Sequence, residues 1–581
     1  MSEATLTWAA GPVIHARMHG PFQIYEALAV GERGLLGEVV QLKGDELIAQ
    51  VYEDTAGLEP GAPLRGTEAP LSVLLGPGLL GQIYDGLLRP LTGLDAPFLA
   101  AGERLRVAQR FAFEPDIKVG ERLVAGQVWA RAPQAGRLSL VRAPPGVDGV
   151  VASIATAGDY EDHQSLCAVV DAQGRERSLS LLERWPVRMA RPVAARLPAS
   201  TPMITGQRIL DTLFPIARGG RAALPGGFGT GKTVLQQALA KWCDADVIVY
   251  VGCGERGNEM AEVLNELPVI EDPRTGRPLL ERTVIIANTS NMPVAAREAS
   301  IYTAITVAEY LRDQGLHVAL MADSTSRWAE ALREISGRLG ELPGEAGYPA
   351  YLSSRLASFY ERAARVRTLG GDEGSVTVIG AISPPGGDFS EPVTMHTRRF
   401  VRSFWALDPE RARARFYPAV NPLTSYSEDA GRVTAWWQAN GNSNWLEHRR
   451  RLLDLLGQQA RLERMARIVG KDALPAPQQL TLLLADLANE ALLQQSSFSV
   501  ADRYCSPARQ SAMLRLVMRF VELAEAALAR GVPIRTLVAL PILPRLKRLG
   551  EEHGETDLAG IEELGREVEA IVLALAANHA P

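Results

Sequence analysis

Short apolar runs separated by turns dominate the first 72 residues of the chain. Leu35 to Val40 and Glu46 to Tyr52 are two such runs, and turns that contain glycine and glutamate lie between and around them. Several short strands at this spacing are typical of a small closed barrel. Gly76-Pro77-Gly78 ends the stretch, and we predict an N-terminal β-barrel over residues 1–72.

A second stretch with strand-like alternation covers residues 105–190. Turn signals occur at Lys118-Val119-Gly120, Pro144-Pro145-Gly146 and Ala157-Gly158-Asp159, and alternating segments such as Arg137 to Val141 lie between them. The alternation predicts strands with one buried face. We interpret this stretch as an inserted, β-rich bulge.

Buried-strand runs alternate with helical patterns between residues 200 and about 390. The runs are Val247–Val251, Val284–Ala287, Val318–Met321 and Val376–Ile379. Runs of this kind, with helices such as residues 299–315 between them, predict a parallel sheet that is covered on both faces. We therefore predict an α/β domain over residues 73–430 that the bulge interrupts.

Helical periodicity takes over beyond about residue 430. One amphipathic segment begins near Leu452, and others cover residues 478–494, 510–530 and 557–576. These segments predict a C-terminal α-helical domain over residues 431–581. The predicted fold is thus multidomain, with a β-barrel, an α/β domain of the P-loop (RecA-like) type that carries the bulge, and a helical domain.

The P-loop assignment comes from Gly226 to Thr233, which read G-x-x-x-x-G-K-T. Glycines let such a loop wrap so that backbone N–H groups point at phosphate oxygens, and the helix from about Gly231 to Trp242 offers its positive end to the same anion. Lys232 can reach the β- and γ-phosphates, and Thr233 can ligate Mg²⁺. A chance glycine-rich turn is the alternative, since the chain has 53 glycines. The candidate nucleotide-binding residues here are Gly226, Gly227, Phe228, Gly229, Thr230, Gly231, Lys232, Thr233 and Val234.

A second polar element, Gly252 to Glu259, directly follows the predicted strand that ends at Val251. In open α/β sheets, ligands bind at the carboxyl ends of the strands. Glu255 is therefore a candidate to orient and polarise an attacking water, and Arg256 to stabilise charge on a transferring phosphoryl group. A surface ion pair beside a turn is an equally good interpretation of the spacing alone.

A third element is the apolar strand that ends in Asp323, which is the Walker-B arrangement. Apolar strands that end in aspartate are common, but this one lies about 90 residues after a P-loop. Asp323 would then hold Mg²⁺, through water. Arg327, one helical turn further on, is a candidate to reach the same phosphates, and a helix-surface arginine is the alternative. Tyr417 could stack on a base, although periodicity alone favours a core aromatic.

Composition narrows the class of protein. The net charge of −6 argues against a protein that grips a nucleic-acid backbone, which usually shows a basic excess. The four cysteines fit neither a zinc pattern nor a disulfide framework, which favours a reducing cytosol. The chain has no apolar run near the roughly 20 residues of a membrane span and no signal-peptide pattern at its start. We therefore expect any membrane association to go through partner proteins.

The sequence resembles the catalytic A subunit of the V-type and A-type rotary ATPases over nearly its whole length. The resemblance is strongest at Pro225–Thr233, Gly252–Glu262, Met321–Leu339 and Ile382–Thr394. Residues 418–427 look like the motif shared by nucleotide-binding subunits of rotary ATPases, and the bulge stands where A subunits carry one.

The resemblance implies roles for the matching residues. Lys232 and Thr233 look like the phosphate and Mg²⁺ contacts, Glu255 like the catalytic glutamate, and Arg256 like the phosphate-sensing arginine. Glu259 matches a carboxylate near the metal's water, and Asp323 the Walker-B aspartate. Tyr417 and Phe498 match the aromatic residues that flank the adenine. The implied ligands are Mg²⁺ and ATP or ADP.

The resemblance also implies an assembly. Its partners are a B subunit, which alternates with this chain in an A3B3 ring and supplies an arginine finger, the shaft proteins of a central stalk, and a peripheral stalk. The membrane sector is a partner only indirectly, and no nucleic acid is expected. We expect a peripheral position on the cytoplasmic face of a membrane and weak activity from the chain alone.

Two departures from the family matter. Thr230 stands where many eukaryotic A subunits have a P-loop cysteine, so the redox switch ascribed to that thiol should be absent. We expect a prokaryotic source. Pro422 stands where A subunits often have tryptophan, so the motif is closer there to the F-type. The expected activity is turnover of Mg-ATP coupled to proton or sodium transport. The alternatives are a non-catalytic member of the ring, an export ATPase of the type III secretion or flagellar class, and a hexameric RNA translocase.

Overall fold

The computed structural model of the 581-residue chain describes residues 2–91, 101–102, 108–134 and 137–579. The chain divides into two compact units. The first unit comprises residues 1–198, 245–384 and 388–400, and the second comprises residues 199–244, 385–387 and 401–581. The domain boundaries at residues 72, 105, 190 and 430 stay predictions, and residues 105–107 lie outside the described part of the chain.

The first unit begins with a closed, six-stranded antiparallel barrel. Its strands are Glu3–Ala10, Val13–Met18, Glu26–Val30, Leu35–Lys43, Glu46–Val51 and Pro63–Pro70. The first strand pairs with both the second and the sixth, which closes the ring. Apolar side chains such as Leu6, Ile14 and Leu47 fill the interior, so the predicted barrel is confirmed.

Two four-stranded antiparallel sheets build the bulge. Their strands are Arg110–Pro115, Arg122–Val124, Val128–Gln134, Arg137–Arg142, Asp148–Ile154, Gly158–Glu161, Cys167–Val170 and Glu176–Leu179. Phe113 and Trp129 from one sheet share a core with Leu123 and Val151 from the other. The β-rich character predicted for this stretch is confirmed.

Five parallel strands form the sheet of the first unit. In spatial order they are Ile83–Asp85, Thr283–Asn288, Val247–Cys253, His317–Asp323 and Glu373–Ile382. The short strands Ser72–Leu75 and Glu183–Pro186 pair with each other, and Ala195–Leu197 pairs with Ala364–Arg367 beside the sheet. The helices of this unit are Gly257–Glu266, Val294–Asp313, Thr325–Arg338, Leu352–Tyr360 and Pro392–Arg398. All four runs predicted from the sequence are strands here.

A partly buried arginine links the barrel to the central helix of the same unit. Arg188 donates hydrogen bonds to Glu38 on the barrel strand Leu35–Lys43 and to Glu298 on the helix Val294–Asp313, at 2.9 and 2.8 Å. Tyr52 donates a further bond to Glu38. Burying these charges is favourable only because each has partners of opposite charge in good geometry. The arginine therefore fixes how the barrel meets this helix.

The second unit carries two short groups of paired strands and most of the helices. Its strands are Pro202–Met203, Ile216–Ala217, Arg221–Pro225, Ser403–Phe404 and Tyr426–Ser427. Its helices are Arg208–Leu213, Lys232–Trp242, Pro409–Arg413, Ala430–Ala439, Trp445–Val469, Ala476–Ala488, Pro507–Ala529, Ile534–Val538, Leu543–Lys547, Leu549–Glu552 and Leu558–Ala577. The predicted helical C-terminal region is confirmed. Among the described helices, none combines the length and the apolar character that crossing a bilayer needs.

Asp211 is a fully buried carboxyl group in the second unit. It accepts hydrogen bonds from the Thr205 and Gly206 backbone N–H groups at 2.9 and 3.0 Å and from Gln510 Nε2 at 2.8 Å. These donors favour the ionised form, but burial outweighs them and raises the pKa of Asp211 to about 6. The native chain therefore holds a proton here that the unfolded chain releases at lower pH.

We predict that this proton makes stability depend on pH. Between the ordinary aspartate pKa of 3.8 and about 6, the native state binds more protons than the unfolded state. The wild-type chain should therefore lose up to about 3 kcal/mol relative to Asp211→Asn as the pH rises through this window. Denaturant unfolding of both chains across the window measures the difference. A constant offset between the two curves would contradict the shifted pKa.

Candidate functional site

The P-loop connects the strand Arg221–Pro225 to the helix Lys232–Trp242 in the second unit. Gly229 and Gly231 have φ angles of 72° and 85°, in the left-handed region that favours glycine. Space around both residues is open. The loop thus exposes backbone at the N-terminal end of a helix, where N–H groups and the helix dipole attract an anion.

Lys232 lies across the loop. Its Nζ donates to the carbonyl oxygens of Gly226 and Gly227, at 2.7 and 3.2 Å. The Thr230 hydroxyl donates to the same Gly227 carbonyl at 2.8 Å and is buried. A Cβ at Gly226 would lie 2.5 Å from Thr230 Oγ1, so this position requires glycine. A phosphate is a stronger acceptor than a carbonyl, and the lysine sits where it could turn to one.

The remaining P-loop candidates differ in exposure. Thr233 is half-buried in the first turn of the helix, and Val234 beside it is exposed. Phe228 is 93% exposed at the tip of the loop. A side chain at such exposure adds little to the core of its own unit.

The segment around Tyr417 lies close to the P-loop strand within the second unit. The Leu407 N–H donates to the Pro225 carbonyl, and Leu407 in turn pairs with Val420. Asn421 holds this arrangement, since its N–H donates to Ala406 and its Nδ2 donates to Asp408 Oδ2 at 2.7 Å. Residues 418–422 therefore have a structural role that the sequence did not disclose, and they carry Tyr417 to the same edge as the P-loop.

Tyr417 and Phe498 differ in their surroundings. Tyr417 is half-buried, and burial raises the pKa of its phenol well above the ordinary value. Phe498 is 96% exposed. The Gln495 N–H donates to the Tyr417 carbonyl at 2.8 Å, so the loop that carries Phe498 is fastened beside Tyr417. The structure thus brings together the P-loop segment and both predicted aromatic candidates in one unit.

Two carboxylates meet at the carboxyl ends of neighbouring strands in the first unit. Gly252 and Asp323 are register partners in the parallel pair Val247–Cys253 and His317–Asp323. Glu255 follows in a turn that is held by two backbone bonds, from Gly254 to Asn288 and from Ser290 to Glu255. The predicted Walker-B residue and the predicted catalytic glutamate therefore lie at one edge of the sheet.

The electrostatics of this edge favour a protonated group. Burial, followed by the negative charges of Asp323 and Glu259, raises the pKa of Glu255 to about 8. Tyr250 donates a hydrogen bond of 3.2 Å to Asp323 Oδ2 from the interior of the sheet. Strongly perturbed carboxyl groups of this kind occur most often at functional sites. Cation binding beside them would relieve the repulsion between the carboxylates.

The two candidate arginines occupy different positions around the turn. Arg256 is exposed and directly precedes the helix Gly257–Glu266, without a capping hydrogen bond from its side chain. Arg327 pairs with Glu330 on its own helix at 2.9 Å. This pair is what the alternative interpretation, an arginine on the helix surface, predicts. A Cβ at Gly254 would lie 2.8 Å from Arg327 Cβ, so Arg327 also touches the turn of Glu255. The phosphate roles of both arginines stay predictions.

The residues present suit Mg²⁺ and a nucleotide. Asp323 and Glu259 offer hard carboxylate oxygens in the first unit, and Thr233 offers a hydroxyl in the second, which are the donors that Mg²⁺ prefers. The open glycine loop could serve as a cradle for phosphates. The four cysteines are buried free thiols.

Sequence reasoning did not find Tyr250, which bonds to Asp323. It lies within an unbroken apolar run, where a tyrosine is indistinguishable from any other core residue. It missed Asn421 as well, although this residue stands inside a stretch that the sequence had singled out. In both cases the role depends on a partner far along the chain.

Family models match four segments of the chain. The nucleotide-binding domain of the ATP synthase alpha/beta family matches residues 206–427, and its beta-barrel domain matches residues 7–68. The barrel-sandwich domain of the ATP synthase alpha and beta subunits matches residues 103–188. The C-terminal domain of V and A type ATP synthase matches residues 434–537.

The chain is also similar to curated proteins over nearly its full length. It is 51% identical to the A subunit of the A-type ATP synthase of Thermococcus onnurineus, over 97% of this chain and 98% of the relative. It is 50% identical to the protein of the same name from Methanopyrus kandleri, over 96% of both chains. It is 48% identical to the V-type ATP synthase alpha chain of Halothermothrix orenii, over 97% of both chains.

The geometry of the Glu255 turn leads to a prediction for two glycines. Gly254 has a φ of 76°, and a Cβ there would lie 2.8 Å from Arg297 Cδ and from Arg327 Cβ. Gly254→Ala should therefore destabilise the chain by about 1–3 kcal/mol and speed amide hydrogen exchange around Glu255. Gly257→Ala is the matched control, because nothing lies within 4 Å of its Cβ position. Equal unfolding and exchange in the two variants would contradict this description of the turn.

Proposed function

Since the chain belongs to the family of catalytic A subunits of A-type and V-type ATP synthases, we propose that its P-loop binds the phosphates of ATP and that Glu255 directs water onto the γ-phosphate. The chain is the catalytic subunit of a rotary ATPase, which makes or hydrolyses ATP in step with ion transport. The observation that carries the proposal is the partly buried Glu255 beside Asp323 at the end of the sheet, in a chain that also keeps a P-loop lysine.

Phosphate binding belongs to the loop and its lysine. Backbone N–H groups of the loop from Gly226 to Thr233 would surround the β-phosphate, and Lys232 would exchange its carbonyl partners for β- and γ-phosphate oxygens. The base would lie toward Tyr417 and Phe498. The connection of Pro225 to Leu407 and Val420 supports this placement, because it keeps Tyr417 beside the loop.

Glu255 would activate the attacking water. Its carboxyl group follows the strand end directly, and the two backbone bonds that hold its turn limit its positions. Burial and the neighbouring carboxylates raise its pKa, and a cation beside them would favour the ionised form, which can accept a proton from water. Arg256 and Arg327 would stabilise charge that develops on the phosphoryl group.

Thr233, Glu259 and Asp323 would hold Mg²⁺. The ion supplies charge neutralisation for the phosphate oxygens. The chain's own contribution is to orient the Asp323 carboxylate, and Tyr250 does so by donating its hydroxyl.

The assembly is proposed from the names of the relatives, which are components of ATP synthases. We propose that this chain alternates with a B subunit in an A3B3 ring, in which the B subunit supplies an arginine to complete the site. The C-terminal helices would act on the central shaft, and a peripheral stalk would hold the ring above the membrane sector on the cytoplasmic face. The transported ion is a proton or sodium. No feature of the described residues favours a non-catalytic ring member or an export ATPase.

Glu255→Gln tests the catalytic assignment. The amide keeps the shape of the side chain but cannot accept a proton, so ATP turnover by the ring should fall at least about a hundredfold while ATP affinity changes little. Phosphate release and nucleotide titration measure the two quantities. Glu262→Gln, an exposed change on the following helix, is the control. Unchanged turnover in Glu255→Gln would refute the assignment.

Lys232→Ala tests the phosphate site. Removing the ammonium group should weaken ATP binding by about a hundredfold, the scale of losing charge-assisted hydrogen bonds. Lys241→Ala, at the other end of the same helix, removes an equal charge and should leave affinity unchanged. Calorimetric titration of the three chains separates the outcomes, and equal affinities would count against the proposed role of Lys232.

A further inference from the structure

A buried glutamine lies at the foot of the loop that carries Phe498. The side chain of Gln495 is 1% exposed. Its Oε1 accepts from the Arg208 N–H at 2.8 Å, and its Nε2 donates to the Gly206 carbonyl at 2.8 Å. Its own N–H donates to the Tyr417 carbonyl at 2.8 Å. One residue therefore joins three segments that are far apart in sequence.

The other end of this loop is fastened by a charge pair. Asp502 accepts hydrogen bonds from Arg208 Nη1 at 2.5 Å and from the Ser496 N–H at 2.7 Å. Its own N–H donates to the Ser499 carbonyl at 3.1 Å. Arg208 and Asp502 are both buried, so the pair is strong only while each keeps its partner. The two ends of the segment between Ser496 and Asp502 are thus held together by hydrogen bonds.

The helix before the loop ends in an unusual way. The α-helix Ala476–Ala488 passes into a π-helical turn over Asn489–Leu493, in which the Gln494 N–H donates to the Asn489 carbonyl. Arg208 Nε donates to the Leu492 carbonyl and its Nη2 to the Gln494 carbonyl, at 2.7 and 2.5 Å. A cation at the carboxyl end of a helix donates hydrogen bonds to carbonyl groups that have no partner within the helix. Such π turns occur often at functional sites.

These contacts hold a loop whose top adds little to the core. Phe498 and Val500, at the top of the loop, are 96% and 77% exposed. A loop that buries so little apolar surface would sample many conformations if its ends were free. The bonds of Gln495 and Asp502 remove that freedom before any ligand binds, and pre-organisation of this kind raises affinity.

We propose that Gln495 is a positioning residue for the nucleotide base. Its side-chain amide fastens the foot of the Phe498 loop to Gly206 and Arg208, and its main-chain N–H holds the segment of Tyr417, so that the two aromatic side chains can flank the adenine of ATP or ADP. This inference rests on the proposed function, because it assumes that the phosphates occupy the P-loop. Gln495 does not touch the phosphates, and its effect should be confined to the part of the affinity that the base provides.

The test compares two probes on the full chain, Mg-ADP and Mg-pyrophosphate, by calorimetric titration. Pyrophosphate has the phosphates but no base. Gln495→Ala should weaken ADP binding about tenfold, the loss expected for one or two ordered hydrogen bonds, and change pyrophosphate binding less than about twofold. Gln495→Glu keeps an acceptor for the Arg208 N–H but sets a carboxylate oxygen against the Gly206 carbonyl, so it should weaken ADP binding at least as much as Gln495→Ala does.

Asn442→Ala controls for the loss of a buried amide. Asn442 is 1% exposed, bonds to Ser511 Oγ at 3.2 Å in the same unit, and should leave the ratio of the two affinities unchanged. Equal weakening of both probes by Gln495→Ala, or no weakening of either, would overturn the inference. Wild-type affinity that is no greater for ADP than for pyrophosphate would overturn it as well.

Lys232→Ala shows whether a failure lies in the proposed phosphate site or in the proposed role of Gln495. If that variant binds both probes as the wild type does, the phosphate assignment fails, whatever Gln495 does to the ratio. If it loses both probes, the phosphate site holds, and the ratio in Gln495→Ala alone decides the role of the glutamine.

Discussion

The parallel pairing of Val247–Cys253 with His317–Asp323 is the interaction on which the positions of Glu255 and Asp323 in the first unit depend. Its register sets Gly252 opposite Asp323, and alternation then places Tyr250 on the same face, where its hydroxyl reaches the carboxylate. A Cβ at Gly252 would lie 1.7 Å from Met260 Cε, so the helix after the turn packs directly on this strand end. A slip of one residue would turn Asp323 to the other face and separate it from Glu255.

The helix Val294–Asp313 is a second constraint on the structure of the first unit. Nearly all of its side chains are buried, including Glu298 and Glu309. Each of these carboxylates has an arginine partner, Arg188 for the first and Arg362 for the second. Because removing one member of a buried pair leaves an uncompensated charge, the pairs tolerate only one placement of the helix. Trp328 Nε1 also donates to the Glu298 carbonyl, which ties the helix after Asp323 to the same support.

Sequence patterns predicted the local features of this chain well. Unbroken apolar runs gave the four parallel strands, because a strand buried on both faces needs apolar residues throughout. The spacing of the glycines predicted the P-loop, because the conformation of this loop depends on positive φ angles that glycine adopts readily. The helix predicted over residues 299–315 begins earlier, at Val294, since Pro293 precedes it and proline is well tolerated at a helix start.

Features that depend on distant partners could not be predicted. The helix predicted over residues 478–494 ends as an α-helix at Ala488, and its π turn is supported by Arg208, which lies 284 residues before the carbonyl of Leu492 to which it donates. No periodicity in the sequence distinguishes that turn from one more turn of α-helix. Gln495 is likewise an ordinary polar residue until Tyr417, Gly206 and Arg208 surround it. In these parts of the second unit, long-range hydrogen bonds determine the local structure, and the sequence pattern does not predict it.

The central proposal is that this chain supplies the P-loop, the catalytic carboxylate and the metal ligands of a site that a neighbouring B subunit completes. The most direct test is the rate of ATP hydrolysis by the purified chain alone and by the ring that it forms with its B subunit. We predict weak hydrolysis by the chain and an increase of at least about a thousandfold in the ring, the scale of an added arginine. Equal rates per chain in the two preparations, or an inactive ring that still binds ATP, would contradict the proposal.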